Sequence, residues 1–342
     1  TGADWLVDGH ATYEALFEAI AAARHHVHLE YYIWNPDRTG LRLRDALVEQ
    51  ARAGVKVRLL LDAVGAGRMR RRHLQPLLDA GAEVAWFHPT RFRPFTRPWV
   101  NLRSHRKIVV VDGVVGFIGG INVTDEENEA LVAGAYRDLH LRVAGKVVRS
   151  LQLVFVEDWV YAMGCEPRAF AEADYWPEPP EGPVGAQVLV SGPDSSWEAI
   201  HRLHVAAIHE ARRRVWLATP YFVPGEAARM ALTSAALGGL DTRLLVPRWS
   251  DSRLVALGAR SYFVSGEKIQ NTLGFAADRG TAEAVTAMWD ALERGDFGLE
   301  PAGGAAEVVG AGVVHVEAEP VPGGMHVVAG GGLLRDERVG LP

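Results

Sequence analysis

The sequence predicts an α/β protein of two similar lobes, each with a mixed, mainly parallel sheet flanked by helices. Two observations carry this prediction. Helical spacing alternates with short β-rich runs over about the first 90 residues, which is typical of strands joined by crossover helices. The same order returns after 185–188 residues, counted from Arg58 to Arg243 and from Val27 to Val215. A repeat of this length indicates two lobes rather than a solenoid.

Hydrophobic spacing and turn residues locate the elements of the first lobe. Good helix formers with a period near 3.6 predict helices, and runs rich in β-branched residues predict buried strands. The last strand ends at Asp112 and Gly113, which are typical turn residues. The predicted helices are 11–24, 41–54 and 70–81, and the predicted strands are 26–34, 55–65, 82–89 and 108–111.

The repeat and the composition suggest domain limits. An N-terminal lobe at 1–163 is followed by a linker at 164–185 that is rich in Pro, Glu and Gly, a composition typical of linkers. The second lobe would occupy 186–342, and its likeness to the expected pattern fades after about residue 263.

Bulk properties exclude several classes of protein. A single cysteine, Cys165, rules out an intrachain disulfide. No apolar run approaches the roughly 20 residues that a membrane span needs. The net charge of −6 does not favour non-specific binding of nucleic acid.

The stretch "NLRSHRKIVVVDG" at 101–113 is the candidate reactive segment. His105 and Lys107 are two residues apart, so in extended chain they face the same side. A neutral imidazole can attack phosphorus, and an ammonium can neutralise the charge that builds on the phosphoryl oxygens. Asp112 would hold the loop or orient a neighbouring group.

The segment "GFIGGIN" that comes next makes the pattern more specific. Gly119 and Gly120 allow backbone to approach a ligand closely, and Asn122 can donate an amide hydrogen bond to a phosphate oxygen. HxK alone is more typical of a solvated strand start, whereas HxKxxxxD followed by GGxN points to a phosphate site.

On these residues the chain resembles the phospholipase D superfamily, and within it the bacterial cardiolipin synthases. The resemblance covers roughly residues 4–263. The other stretches that carry it are "HVHLEYYIW", "YRDLHLRV", "FVEDWVYAMG", "SGPDSSWEAI", "ATPYFVP" and "RLLVPRWSD".

The resemblance implies a tandem repeat with one HxKxxxxD motif per lobe at a shared cleft. One histidine forms a phosphohistidine, and the other protonates the leaving alcohol and activates the incoming one, roles that suit imidazole near neutral pH. Neither a metal nor another cofactor is expected, because the lysines stabilise the charge. The implied reaction is phosphatidyl transfer between two phosphatidylglycerol molecules. It would take place at the cytoplasmic face of a bacterial membrane.

Two features near the motif suggest further roles. Asp138 is a candidate partner for the far ring nitrogen of His105, and an ion pair of Asp138 with Arg137 or Arg142 is an equal alternative.

Residues 84–111 hold six basic and no acidic residues, interleaved with aromatic ones. This segment could rest on anionic lipid head groups; nucleic acid or solvent is its alternative contact.

A second HxKxxxxD is missing, because the pattern occurs nowhere after residue 113. His326 stands near the position expected for the second histidine, but Val328 replaces the lysine. Three explanations stay open: a divergent or frame-shifted C-terminus, a phospholipid-binding pseudoenzyme, or a homodimer in which two copies of His105 meet. A phospholipase or nuclease of the same superfamily is the alternative enzyme.

Overall fold

The computed structural model describes residues 2–88, 104–179, 182, 184–192, 197–219 and 222–245, and the backbone of three short strands between 307 and 328. The chain divides into two compact units. The first ends near residue 184, and the second begins near residue 185 and holds most of the remaining chain.

The first unit is a seven-stranded sheet with helices on both faces. Its elements are β1 (Gly2–Val7), α1 (Asp8–Ala21), β2 (His26–Tyr31), α2 (Arg38–Arg52), β3 (Lys56–Asp62), α3 (Arg71–Asp79), β4 (Glu83–Phe87), β5 (Ile108–Val111), β6 (Val115–Gly119), β7 (Leu139–Ala144) and α4 (Lys146–Met163). The strand order is β1-β7-β6-β5-β2-β3-β4. Parallel pairing joins β2 to β3 and β3 to β4, and the other four pairs are antiparallel. The predicted class, a mixed α/β sheet flanked by helices, is confirmed, but the expected majority of parallel pairs is not found in this sheet.

Two cores cover the two faces of this sheet. The larger one packs α1, α2 and α3 on one face, around fully buried side chains such as Leu16, Leu43 and Trp34. On the other face, Phe155 and Trp159 of α4 pack with Phe170 and Tyr175. The structure thus places part of the predicted linker, the segment 167–175, against the first unit.

The second unit repeats the helix–strand order of the first. Helix α5 (Ala199–Glu210), strand β8 (Arg214–Ala218), helix α6 (Glu226–Leu237) and strand β9 (Asp241–Leu245) follow one another. Strands β8 and β9 are parallel and pair Trp216 with Arg243, just as β2 and β3 pair His28 with Arg58. Three short strands complete this sheet: β10 (Glu307–Val309), β11 (Gly312–Val316) and β12 (Val327–Val328).

The domain limits at 163 and 185 stay a prediction. Within the described residues, no helix is both long and apolar enough to cross a lipid bilayer.

Candidate active site

The strand directions of the first unit bring the predicted site residues to one edge of the sheet. Strand β5 begins beside the end of β2, since Ile108 pairs with Glu30. Strand β6 ends at the same edge, because Ile118 also pairs with Ile108, and β7 begins there at Leu139. The edge therefore carries the following side chains: His105, Lys107, Asn122 and Asp138.

His105 lies half-buried just before β5. Its imidazole stacks on the Tyr32 ring, with centroids 3.7 Å apart and planes inclined by 21°. Burial, with a smaller effect of the Lys107 charge, lowers the pKa of His105 to about 4. The imidazole is therefore neutral at physiological pH, which is the form that can act as a nucleophile.

Lys107 is buried beside it, and its Nζ donates a hydrogen bond to the His105 carbonyl oxygen at 2.7 Å. Burial lowers the pKa of Lys107 to about 8, against the opposing effect of carboxylates that include Glu127 and Asp138. Near pH 7 the side chain is still an ammonium ion. It supplies a positive charge in a poorly solvated place, where its electrostatic effect on an anion is large.

Asn122 is held rigidly by a buried carboxylate that the sequence reasoning missed. The Asn122 N–H donates to Glu127 Oε2 at 2.6 Å, and its Nδ2 donates to Glu127 Oε1 at 2.8 Å. Asn122 Oδ1 accepts from the Ile33 N–H at 3.2 Å, and the Tyr13 hydroxyl donates to the Asn122 carbonyl at 2.6 Å. These contacts leave one amide hydrogen of Asn122 for another acceptor.

Asp138 lies at the same edge, where its carboxylate accepts the Leu139 N–H at 2.7 Å. Burial raises the pKa of Asp138. In the described part of the chain no hydrogen bond joins Asp138 to His105, and the alternative ion pairs are not formed either. Arg137 instead pairs with Asp8, and Arg142 with Asp4.

The structure explains the glycine at position 120 by a contact within the protein, whereas the expected reason was close approach of a ligand. A Cβ at this position would overlap the Asp138 carboxylate, so a glycine is needed for Asp138 to approach. The Gly120 N–H already donates to the Leu139 carbonyl at 3.0 Å. It is therefore not free to bind a phosphate oxygen in this conformation.

Asp112 lies at the opposite edge of the sheet from His105 and Lys107. The four residues of β5 lie between Lys107 and Asp112, so the two residues are five steps of extended chain apart, about 16 Å at roughly 3.3 Å per step. Its carboxylate accepts the backbone N–H groups of residues 24, 25 and 26 at 2.8–2.9 Å. Of the two roles considered for Asp112, these hydrogen bonds match the one that holds the loop. A part for Asp112 in the reaction stays a prediction.

A second buried network borders His105 and was also missed. Ser104 donates to Glu30 Oε1 at 2.5 Å, and Arg106 forms an ion pair with Asp158 of α4. Burial raises the pKa of Glu30 well above its ordinary value. The available signal was a lone glutamate inside the apolar run "HVHLEYYIW", because a buried charge requires partners.

Other predicted features lie outside the described residues. These are His326 and most of the basic–aromatic segment, namely residues 89–103. Over the described ranges, no three His, Cys, Asp or Glu side chains converge in a way that could hold a metal ion.

Comparison with known proteins assigns the family. Residues 16–135 match the family model described as cardiolipin synthase, PLD-like domain. The chain belongs to the phospholipase D superfamily. It is 44% identical over 262 residues to a cardiolipin synthase of a Geobacillus strain, covering 75% of this chain and 51% of that protein. It is 41% identical over 267 residues to cardiolipin synthase 2 of Bacillus cereus, covering 75% of this chain and 50% of that protein.

The chain thus spans about half the length of the curated relatives that it matches. Among solved structures, the phosphatidylserine synthase of Haemophilus influenzae is similar, with a TM-score of 0.57 and 14% identity over 79% of this chain and 70% of that one. The two chains therefore share a fold.

Proposed function

We propose that the chain carries the nucleophilic half of a cardiolipin synthase-like phosphatidyltransferase that acts on phosphatidylglycerol. The observation that carries this proposal is a neutral imidazole, His105, held beside the buried ammonium of Lys107 at one sheet edge. The identity of 40–44% to cardiolipin synthases over three quarters of the chain supports the substrate class.

The proposed reaction proceeds in two displacements at phosphorus. The lone pair of the His105 imidazole attacks the phosphodiester of phosphatidylglycerol, so a P–N bond forms while the bond to the glycerol oxygen breaks. Glycerol leaves with a proton from a general acid. The hydroxyl of a second phosphatidylglycerol then gives its proton to that group and attacks phosphorus, which breaks the P–N bond and yields cardiolipin.

The neighbouring side chains have separate parts in this proposal. The Lys107 ammonium would stabilise the charge on the transferring phosphoryl group. The remaining amide hydrogen of Asn122 would bind a phosphate oxygen, with Glu127 holding the amide in place. The half-buried carboxylate of Asp138 would stabilise the cationic imidazole through its charge.

The second motif would supply the general acid, but HxKxxxxD occurs only once in the sequence. General acid–base help typically contributes about 10²–10⁴-fold to a rate. We therefore expect the purified chain to convert phosphatidylglycerol to cardiolipin far more slowly than a full-length relative. This single motif also favours the second candidate function, a phospholipid-binding pseudoenzyme.

Thin-layer analysis of lipid products from detergent-dispersed phosphatidylglycerol tests the proposal, with the full-length Geobacillus cardiolipin synthase as the control. Slow turnover that His105→Ala abolishes and His10→Ala retains would support it. Phosphatidylglycerol binding without any His105-dependent product would favour the pseudoenzyme. Turnover within about tenfold of the control, abolished by His105→Ala and unaffected by His326→Ala, would instead indicate a homodimer in which two copies of His105 meet.

An anionic membrane surface is the second proposed partner. Four exposed arginines stand in the loop after β3 and at the start of α3, namely Arg68, Arg70, Arg71 and Arg72. This loop lies at the edge that carries His105, because Gly65 contacts Tyr32. In the described part of the chain no acidic side chain pairs with these arginines, so their charge is available to lipid head groups.

Vesicle sedimentation tests this surface. Arg68→Glu with Arg71→Glu should weaken binding to vesicles that contain phosphatidylglycerol, and high salt should weaken it as well, because exposed charges are screened. The matched control is Arg24→Glu with Arg52→Glu, which changes the same charge at the opposite sheet edge. Equal effects of both pairs, or binding insensitive to salt, would contradict the assignment.

A further inference from the structure

Tyr32 lies directly after β2, at the sheet edge that carries the site. Its ring faces the His105 imidazole at 3.7 Å between centroids, almost parallel to it. The Lys107 Nζ atom is 5.6 Å from the same ring centroid. Tyr32 is thus the aromatic surface on which both motif side chains converge.

The chain at Gly65 fixes the place of the Tyr32 ring. A Cβ at residue 65 would overlap the Tyr32 carbonyl oxygen and lie 2.8 Å from ring atoms Cδ2 and Cε2. A side chain at this position would push the ring toward His105 or away from it. The loop after β3 therefore supports the ring closely, and the ring in turn supports His105.

The stack is the contact that orients the His105 imidazole. Over the described residues, no hydrogen bond reaches either ring nitrogen of His105, whereas the backbone oxygen of His105 is bound by Lys107. A face-to-face contact restricts rotation of the ring and leaves both nitrogens open at its edge. A nucleophile needs this combination, because the reacting lone pair lies in the plane of the ring.

We propose that Tyr32 is a positioning residue, which holds the imidazole of His105 in its attacking orientation and stabilises the cationic ring that forms when its nitrogen bonds to phosphorus. The second part rests on the proposed function. When the lone pair of one nitrogen forms the P–N bond, the imidazole gains a formal positive charge. An aromatic face within about 6 Å attracts such a cation, most strongly where water is excluded.

The proposal assigns the role to the aromatic ring rather than to the hydroxyl. Tyr32→Phe keeps the face and should behave as the wild type, whereas Tyr32→Leu removes it. Tyr136→Leu is the matched control, because Tyr136 is 67% exposed. Tyr32→Leu should slow phosphoenzyme formation at His105 by about 10- to 100-fold, as expected when a reacting group loses its orientation.

An NMR measurement tests the positioning part without any turnover. In protein labelled at histidine, the ring protons of His105, assigned with His105→Gln, should be shifted upfield by the Tyr32 ring current. The shift should persist in Tyr32→Phe and in Tyr136→Leu and disappear in Tyr32→Leu.

The outcomes separate this inference from the proposed function. An upfield shift in the wild type and in Tyr32→Phe supports positioning, even if no phosphoenzyme forms and the proposed function fails. Ordinary shifts of His105 in the folded wild type would overturn the inference. So would equal slowing by Tyr32→Phe and Tyr32→Leu, because the hydroxyl would then be the important group. If Tyr32→Leu does not fold, the wild type and Tyr32→Phe still decide.

Discussion

At the scale of single residues, burial sets the protonation states that the proposed chemistry needs. His105 is kept neutral and Lys107 is kept only weakly basic, with pKa values of about 4 and about 8. Both shifts arise first from desolvation, which disfavours the charged form. The sequence predicted these two side chains, because HxKxxxxD is a local pattern. Tyr32 and Glu127 were not predicted, because the stacking of Tyr32 on His105 and the hydrogen bonds of Glu127 to Asn122 depend on the fold.

The rate of phosphoenzyme formation should therefore depend on pH in a bell shape. Protonation of His105 removes the nucleophile, so the rate should fall as the pH drops through about 4. Loss of the Lys107 proton removes the charge, so the rate should fall as the pH rises through about 8. Rapid-quench labelling across pH 3–10 measures both limbs. An acid limb near the ordinary histidine value of about 6.5 would contradict the burial of His105.

Glu127 should be important for stability, since it accepts two hydrogen bonds from Asn122 inside the protein. In Glu127→Gln an amide NH₂ replaces one acceptor and meets a donor, which should cost about 1–3 kcal/mol of unfolding free energy. Urea denaturation measures this cost. The control Glu126→Gln alters an exposed neighbour and should stay within about 0.5 kcal/mol of the wild type; equal costs would contradict the buried role.

At the scale of elements, the sequence located the helices and strands better than their pairing. The predicted helix at 41–54 is α2, and the predicted strand at 108–111 is β5. The antiparallel partners of β5 could not be predicted, because pairing depends on contacts far apart in the chain. The same reason explains why the segment 167–175 was predicted as part of a linker, although its Phe170 and Tyr175 are buried against α4.

Asp112 joins two such elements, since it connects the turn after β5 to the start of β2. Asp112→Ala removes the acceptor of three backbone N–H groups and should destabilise the fold by about 1–3 kcal/mol. Asp112→Asn should cost less, because its amide oxygen replaces the oxygen that accepts two of them. Calorimetry gives the order of stability. Loss of His105 labelling in fully folded Asp112→Asn would instead show that Asp112 acts in the reaction.

A series of hydrogen bonds links β2, β3 and α4, and its donors and acceptors can be assigned in only one way. Arg58 is always a donor, so His28 Nε2 accepts from it at 3.3 Å, and His28 Nδ1–H donates to Gln152 Oε1 at 3.0 Å. Gln152 Nε2 then donates to His26 Nε2 at 3.4 Å, which leaves the His26 Nδ1–H to donate to His25 at 2.8 Å. The network therefore requires His26 and His28 to be neutral.

Acid should destabilise the first unit through these histidines. Burial lowers the pKa of His26 to about 3 and that of His28 well below its ordinary value, whereas the unfolded chain binds protons near pH 6.5. The free energy of unfolding should thus fall as the pH drops from about 6.5 toward 4, by up to about 1.4 kcal/mol per pH unit for each histidine.

The effect is isolated by measuring how the free energy of unfolding depends on pH in the wild type, in His26→Gln and in His28→Gln, and by comparing the slopes. The buried Glu30 and Glu127, whose pKa values are raised, act in the opposite direction over part of this range. They are common to all the variants. Equal slopes with and without the histidines would contradict the account.

At the scale of the whole molecule, the chain repeats an architecture but not a motif. Both units contain the same helix–strand succession, with parallel strands in the same register. Only the first contains HxKxxxxD. The missing second motif removes the proton donor of the first displacement and the proton acceptor of the second. Formation and resolution of the phosphohistidine should therefore both be slow. The central claim is that the first of these steps still takes place, at His105.

Covalent trapping tests this central claim most directly. Chain incubated with phosphatidylglycerol labelled in its phosphate and its acyl chains, then quenched in alkaline denaturant, should carry both labels in one phosphatidyl group. Peptide mapping should place that group on His105. His10→Ala should be labelled equally, and His105→Ala should not be labelled. Equal labelling of His105→Ala, or no label on the folded wild-type chain, would contradict the assignment of His105 as the nucleophile.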